Sequence, residues 1–374
     1  MSKKIFIFKL LTFLLVLILT EISLQVFYRI ANGDFLNNRA YLSIYKKSKN
    51  SCWALKPNLN LNHKTSEFKY KIFSDVNSFR NTGKSSNNNL NYNNGKKIMF
   101  LGPSFSFGWG SSYEDTYANL IEKYFKEKNY KHFINASIPG QLPNLQLCWF
   151  ITEGHKYQPD IILQTIYGNI NFQIPKNITE EGFCDQLCEL TKLKVTKKGY
   201  LIRGEKVITN PKLYLKNSAI IFYSWYYISL IRSNFIKNDN FIQNSYEKNN
   251  YSNNDLKIKK FKNNYKNYLE IIKKYSPNSK VIFIYIPYSF DVHAEDKSRW
   301  SHKPIDLKKP MIDYKISIKE ISKQFNFVDT YPSLKKASKI ERTYYYIDTH
   351  FNKLGNKITF ETFEKFCKRT ECYN

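Results

Sequence analysis

The sequence predicts an α/β domain built on a parallel sheet, because short apolar runs alternate with segments of helical periodicity. Residues 117–128, for example, place apolar side chains at helical spacing between two such runs. Strands that alternate with helices indicate parallel pairing in a layered sandwich. Five runs are typical of strands buried on both faces: KIMFL (97–101), HFINAS (132–137), DIILQTIY (160–167), VIFIYIP (281–287) and FNFVDTY (325–331).

The first 30 residues contain an apolar stretch from Ile5 to Phe27, preceded by lysines and broken only by Lys9 and Glu21. As one helix this stretch is long enough to cross a bilayer, so we expect residues 1–30 to be an uncleaved membrane anchor. Two alternatives stay open: a cleaved signal peptide, although no small-x-small cleavage site follows the apolar core, and a helix buried in a soluble protein. An anchor predicts a single-pass protein of the cell membrane with its main domain in the periplasm or otherwise outside the cytoplasm.

Composition indicates a folded chain, since 42% of the 374 residues are hydrophobic and 17% are aromatic. The net charge of +27 has two interpretations: attraction to nucleic acid or another anionic surface, or a general bias toward lysine and asparagine. The lysines are scattered and no nucleic-acid module is recognisable, so we expect no nucleic-acid partner. Attraction to acidic glycans or lipid headgroups stays open.

Cysteine usage fits an exported domain with disulfide bridges, although six cysteines allow 15 full pairings. Their spacings, C-x3-C and C-x4-C without further cysteine or histidine near by, do not make a zinc site, and we expect no metal or organic cofactor. The six are Cys52, Cys148, Cys184, Cys188, Cys367 and Cys372.

The chain divides into three parts on composition. After the anchor, residues 31–95 predict an extended lead-in that ends in a polar, asparagine-rich loop. Residues 96–374 form the main domain, interrupted by an insertion at about 172–270. Within the insertion, residues 218–235 are apolar enough for a second membrane span, but their serines and aromatic residues favour a buried or surface-lying helix.

Polar or small residues follow the predicted strands and form a coherent set. Ser104 follows the first strand, Gly140 the second and Asn169 the third, while Asp348 and His350 lie near the C-terminus. In an open parallel sheet, the carboxyl ends of the strands gather at one edge, where active groups are usually found. We therefore expect these residues to converge.

Their chemistry suits nucleophilic catalysis at a carbonyl. A serine hydroxyl needs a base to take its proton, and an imidazole such as that of His350 can do so near neutral pH. Asp348, two residues earlier, can point the same way and orient the ring. The backbone N–H groups of Ser104 and Gly140, with the side-chain amide of Asn169, would stabilise the oxyanion.

Each residue alone has a more ordinary interpretation. A glycine-x-serine after a strand is commonly a helix cap, Asn169 and Gly140 are common turn residues, and Asp-x-His occurs in surface loops. The shared position at strand ends favours the catalytic interpretation. Should His350 not be the base, four other histidines become candidates: His132, His155, His293 and His302.

Four sequence blocks resemble those of the SGNH (GDSL-type) hydrolase superfamily. FLGPSFSFGWG (100–110) is similar to the first block and INASIPGQLPNLQ (134–146) to the second. PDIILQTIYGNINF (159–172) is similar to the third, and DTHFNKLGN (348–356) to the fifth. Together with the N-terminal helix and the stretches LKPN, VNSFR, IPYSFDV and FVDTYPSL, they resemble a membrane-anchored bacterial subgroup.

The resemblance implies a fold and a site. The fold is a three-layer α/β/α sandwich with a five-stranded parallel sheet, flavodoxin-like, preceded by one transmembrane helix. Ser104 would be the nucleophile, His350 the base and Asp348 its orienting carboxylate. Gly140 and Asn169 would complete the oxyanion hole with the Ser104 N–H.

The implied function is that of an esterase or acyltransferase, with an O-acetyl ester of a cell-envelope glycan as the first substrate to try. Two departures bear on activity, since the family usually has aspartate at the positions of Pro103 and Ile170. The alternative is a catalytically inactive protein of the same fold that binds or organises the envelope. A third hypothesis is an anchored protein that binds anionic polymers through its lysines.

Overall fold

The structure is a computed structural model of the chain. The polar run at 84–94, Asn169, Ile170, His302 and most of the insertion lie outside the described residues, as do parts of the segments around them. The described residues are 3–32, 42–49, 51–65, 67–83, 95–168, 174, 176–179, 182–191, 193–197, 199, 201–203, 218–221, 223–224, 254–296, 320–346 and 348–373.

The described residues contain twelve strands and nine α-helices, with short 3-10 turns between them. The strands are β1 (Tyr45–Ser48), β2 (Cys52–Leu55), β3 (Asn60–Lys64), β4 (Lys69–Ser74), β5 (Arg80–Asn81), β6 (Lys96–Leu101), β7 (Tyr130–Asn135), β8 (Ile161–Tyr167), β9 (Leu193–Val195), β10 (Leu201–Arg203), β11 (Lys280–Ile286) and β12 (Phe327–Asp329). The helices are α1 (Lys3–Asn32), α2 (Ser104–Phe107), α3 (Tyr117–Lys126), α4 (Pro143–Thr152), α5 (Phe183–Thr191), α6 (Asn254–Tyr275), α7 (Ser289–Val292), α8 (Tyr331–Ala337) and α9 (Lys353–Thr370).

The central sheet has five strands in the order β12-β11-β8-β6-β7, and every neighbouring pair is parallel. All five strands predicted from apolar runs are present, so the predicted α/β fold with a five-stranded parallel sheet is confirmed. The chain reverses its direction of winding between β7 and β8, which lie on either side of β6. In such a sheet, the carboxyl end of the strand at this switch point opens onto a crevice suited to ligands.

Alternate side chains of each strand enter two different cores, and this makes the fold three-layered. In β6, Met99 and Leu101 pack in one core with side chains of α4 and α6. Ile98 and Phe100 pack in the other core with side chains of α3 and α9. Both faces of the sheet are therefore covered, as the continuous apolar runs predict.

Strands β1 to β5 form two small antiparallel sheets, β1-β2 and β3-β4-β5, which pack on the main domain. Their hydrophobic cluster includes Phe107, Ile138 and Leu145 of the main domain. The guanidinium of Arg80, 2% exposed, donates hydrogen bonds to backbone carbonyls of its own sheet and lies 5.2 Å from the centre of the Phe107 ring. One buried cation thus joins this region to the turn that follows β6.

All six cysteines lie in described residues and are paired. Cys52 of β2 pairs with Cys188 of α5, and Cys148 of α4 pairs with Cys184 of the same helix α5. Cys367 and Cys372 form the third pair. The first two bridges fasten the start of the predicted insertion to both the lead-in and the main domain.

Helix α1 includes a 24-residue segment, Lys4–Phe27, of mean hydropathy 2.5 that is long and apolar enough to cross a membrane, and none of it is buried in the protein. By length and composition it is a candidate span or signal sequence. Its Glu21 accepts hydrogen bonds from the Ser218 hydroxyl and from the backbone N–H groups of Ala219 and Ile220, at 2.7–3.0 Å. The carboxylate thereby caps a helical turn in the insertion.

Candidate active site

Ser104 stands at the first position of α2, shortly after the end of β6 at Leu101. Helix α2 is a single turn, ended by Gly108 in the left-handed conformation, with φ of +84°. The approach to it is crowded: a Cβ added to Gly102 would overlap the Ser106 hydroxyl and lie 2.8 Å from Thr165 Cβ. Only glycine fits there, so the chain can turn sharply and present Ser104 at the carboxyl edge of the sheet.

Asp348 and His350 lie in the loop that precedes α9, and this loop reaches the same edge. The Ser104 Oγ to His350 Nε2 distance is 2.6 Å. On the other side of the ring, the His350 Nδ1 to Asp348 Oδ1 distance is also 2.6 Å. The structure therefore brings together three residues that are separated by up to 246 positions in the chain.

The hydrogen-bond directions at the His350 ring follow from its partners. An ionised carboxylate only accepts hydrogen bonds, so His350 donates from Nδ1 to Asp348 and Nε2 is left to accept from the Ser104 hydroxyl. Burial by itself would raise the pKa of Asp348, but the hydrogen bond and charge of His350, together with the indole N–H of Trp109, hold that pKa below its ordinary value. The carboxylate therefore stays ionised at neutral pH.

Two of the three predicted oxyanion donors lie in described residues. Ser104, as the first residue of a helix, has no intrahelical partner for its N–H. Gly140 lies in the loop after β7, with φ of +86°, and the Ile138 N–H of that loop donates to the Gly102 carbonyl at 3.0 Å. The Trp53 indole supports the same loop by donating to the Pro139 carbonyl at 3.3 Å. Asn169 lies outside the described residues.

Pro103, where the family usually has aspartate, serves here as the residue before α2. Its backbone is extended and its carbonyl accepts from the Phe107 N–H at 3.2 Å and from the Ser106 hydroxyl at 3.3 Å. The turn is therefore closed by backbone and serine contacts rather than by an aspartate side chain. The second departure, Ile170, lies outside the described residues.

Three side chains around Asp348 were not identified from the sequence. Trp109 donates its indole N–H to Asp348 Oδ2 at 3.3 Å, and Glu67 Oε2 accepts from the Asp348 backbone N–H at 2.7 Å. His63 lies edge-on to Trp109, with ring centres 5.0 Å apart. Trp109 lies in the first sequence block, so its position beside the site could have been inferred from the sequence. Glu67 and His63 lie in the lead-in, where no sequence pattern indicates a role.

His63 is neutral at physiological pH. Burial lowers its pKa to about 4, although the nearby charge of Asp348 acts in the opposite direction. Its Nδ1 lies 3.2 Å from the Tyr70 hydroxyl. His63 is therefore an uncharged side chain packed beside the site.

The other candidate histidines have different surroundings. His293 is 4% exposed, and its Nε2 lies 3.1 Å from the Thr343 hydroxyl. His155 Nδ1 lies 3.2 Å from the Phe150 carbonyl. Among the described residues, there is no group of three or more His, Cys, Asp or Glu side chains that could hold a metal ion.

The chain is similar in fold to several solved structures. No protein-family model matches the chain, and no curated protein is significantly similar in sequence. Among solved structures, the lipase Lip_vut3 from a goat rumen metagenome is 15% identical, with a TM-score of 0.40, over 72% of this chain and 97% of that chain. A lipolytic protein of the G-D-S-L family from Veillonella parvula is 11% identical, with a TM-score of 0.36, over 73% and 99% of the two chains.

A third structure, the acetyl xylan esterase AlAXEase, is 12% identical, with a TM-score of 0.36, over 72% of this chain and 98% of that chain. Because these identities and TM-scores are low, the function proposed below rests on the geometry of the site.

Proposed function

We propose that this protein is a serine esterase or acyltransferase of the SGNH type, with Ser104, His350 and Asp348 as its catalytic triad. The observation that supports it is the unbroken chain of short contacts from the Ser104 hydroxyl through both nitrogens of His350 to Asp348. An ordinary helix cap explains none of this, because the serine hydroxyl of a cap bonds the backbone of its own helix. The side chains of His350 and Asp348 are 22% and 23% exposed, which leaves room for a substrate to approach.

The proposed reaction begins when Ser104 Oγ attacks the ester carbonyl and His350 Nε2 takes its proton. Asp348 stabilises the imidazolium that forms. The Ser104 and Gly140 N–H groups, with the amide of Asn169, would hold the negative oxygen of the tetrahedral intermediate. His350 then gives its proton to the leaving alcohol, and water or a second hydroxyl takes the acyl group from Ser104.

We propose further that the protein acts outside the cytoplasm while anchored by α1. Two features support this. The paired cysteines fit an oxidising compartment. The contact between Glu21 and residues 218–220 would be lost if α1 were cleaved, leaving the N–H groups of that helical turn without their carboxylate. Mass spectrometry of the N-terminal peptide from isolated membranes tests the anchor, and a mature chain that begins beyond Glu21 would contradict it.

An O-acetyl ester of an envelope glycan is the substrate that we propose to try first. The anchor would confine the protein to the membrane, where such polymers are within reach, and the net charge of +27 favours association with acidic ones. Release of acetate from extracted glycans by the wild type, and its absence with Ser104→Ala, would support this substrate class. Transfer of the acetyl group to a sugar hydroxyl, rather than to water, would identify an acyltransferase.

The decisive experiment is labelling with a fluorophosphonate probe, which reacts with activated serines. The full chain in detergent should be labelled, and Ser104→Ala should lose the label. Ser112→Ala is a matched control from the segment that follows α2, since its side chain makes no capping hydrogen bond. A folded wild-type protein that takes no label would reject the enzyme proposal and favour the inactive, envelope-binding alternative.

A further inference from the structure

The loop that carries Asp348 and His350 depends on a few hydrogen bonds for its shape. It is closed by an isolated bridge between Tyr344 and Phe351. Within it, the Tyr345 N–H donates to the His350 carbonyl at 2.8 Å, and the Thr349 N–H donates to the Tyr345 carbonyl at 3.2 Å. Thr349 has φ of +68°, which is costly for a β-branched residue and persists only where the surroundings enforce it.

Glu67 supplies a bond to this loop from outside the main domain. Its Oε2 accepts from the Asp348 backbone N–H at 2.7 Å, a charge-assisted hydrogen bond that is stronger than one between neutral groups. Glu67 stands in the turn between β3 and β4, and that turn is itself fixed. The Thr65 hydroxyl accepts from the N–H groups of Glu67 and Phe68, and the Thr65 N–H donates to the Phe68 carbonyl.

The same turn also contacts the loop beyond the serine. The Phe68 ring lies 5.0 Å from the Tyr345 ring, and the Tyr345 hydroxyl donates to the Gly110 carbonyl at 3.0 Å. Phe68 therefore packs against the loop that carries Asp348 and His350, and it also lies beside Gly110, where an added Cβ would be 3.4 Å from its ring. This contact gives Glu67 a rigid base from which to hold Asp348.

We propose that Glu67 is a positioning residue of the triad, so that the β3–β4 hairpin is part of the active site rather than a spacer in front of it. The inference rests on the proposed roles of Ser104, His350 and Asp348. Trp109 and His350 hold the Asp348 side chain, whereas Glu67 holds its main chain. Without Glu67, the strained loop relaxes and the Asp348 carboxylate moves away from His350 Nδ1.

Two variants separate the hydrogen bond that Glu67 accepts from the space that its side chain fills. Glu67→Gln keeps an acceptor oxygen at the same reach, while Glu67→Met keeps the length of the side chain without an acceptor. With a small acetyl ester and the full chain in detergent, Glu67→Met should lower kcat by roughly 10- to 100-fold with little change in KM, because small displacements of a catalytic group are costly. Glu67→Gln should stay within about threefold of the wild type. Glu153→Gln, at an exposed ion pair, is the control.

A second readout does not depend on turnover. The His350 Nδ1 proton, shared with a carboxylate at 2.6 Å, should give a strongly downfield proton resonance, and the variant His350→Ala identifies it. Glu67→Gln should retain this resonance, and Glu67→Met should shift or lose it. An unchanged resonance and kcat in Glu67→Met would overturn the proposal, as would a Gln variant impaired like the Met variant. A wild type that shows the resonance but takes no fluorophosphonate label would reject the proposed function and leave the role of Glu67 intact.

Discussion

Asp348→Asn is the substitution for which the structure gives the sharpest prediction. Trp109 Nε1 can only donate, and it faces Asp348 Oδ2 at 3.3 Å. The His350 backbone N–H also donates to Asp348 Oδ1, at 3.4 Å, and so competes with Trp109 for the single amide oxygen of an asparagine. We expect that oxygen to face Trp109, so that the NH2 group faces His350 Nδ1. Nδ1 then has to accept, so the single proton of the neutral ring moves to Nε2, where it points at the Ser104 hydroxyl. His350 Nε2 then already carries a proton and cannot take one from Ser104.

The expected magnitude is about 10⁴-fold in kcat, the size of effect that a wrong imidazole tautomer produces in a Ser-His-Asp site. KM should change little, because Asp348 is not expected to touch the ester. Initial rates on p-nitrophenyl acetate measure the effect, with Ser104→Ala giving the background. Asp160→Asn is the matched control, since the Asp160 carboxylate also accepts a hydrogen bond, from the Lys97 N–H at 2.7 Å, away from the site.

A second mutation should rescue part of the activity that Asp348→Asn loses. In Trp109→Phe the indole donor is gone, so in the double variant with Asp348→Asn the new side-chain amide is free to turn its oxygen toward Nδ1. Activity of the double variant should therefore exceed that of Asp348→Asn alone, although both mutations remove groups from the site. If Asp348→Asn kept more than a tenth of the wild-type rate, or the double variant were weaker than the single one, the reasoning would be refuted.

Two other predictions concern pH and packing. Burial raises the pKa of Glu122 from 4.5 to about 7, so the stability tied to its bound proton is complete below about pH 4.5 and is lost as pH rises through 7. The wild type should lose about 3 kcal/mol of unfolding free energy in this way, and Glu122→Gln should not. The variant should therefore have a higher unfolding midpoint than the wild type at pH 8 and an equal one at pH 5. Equal midpoints at both pH values would contradict the prediction. Gly102→Ala should cost about 1–3 kcal/mol in unfolding free energy, because its Cβ overlaps Ser106. It should also lower kcat by displacing Ser104, and a variant with wild-type stability and rate would show that the turn has more room than described.

The central fold was predictable because the inner strands of the parallel sheet are buried on both faces and so appear in the sequence as continuous apolar runs. The same topology made the position of Ser104 at the carboxyl edge predictable, since strand ends gather there. His350 follows no strand of the sheet, and its approach to Ser104 was expected from the resemblance of its sequence block to the family. Their roles in catalysis stay a proposal until the labelling and rate measurements are made.

The surroundings of the triad were not predictable in the same way. Strand β3 has the sequence NLNHK, without a clear alternation of apolar and polar residues, so neither its pairing with β4 nor the position of His63 was apparent. Glu67 acts on a backbone N–H, and any residue at position 348 other than proline would offer one. Cysteine pairing depends on the tertiary fold, and spacing alone left 15 arrangements.

The short connection after α1 has a consequence for how the protein works in the proposed anchored state. Only residues 33–41 separate Asn32, at the end of α1, from Leu42, which already packs in the cluster shared with the main domain. Fully extended, ten residue steps reach no more than about 35 Å. Ser104 would then operate on a tether too short to explore the distant envelope, and its substrates would be those that are made, carried or attached close to the lipid surface.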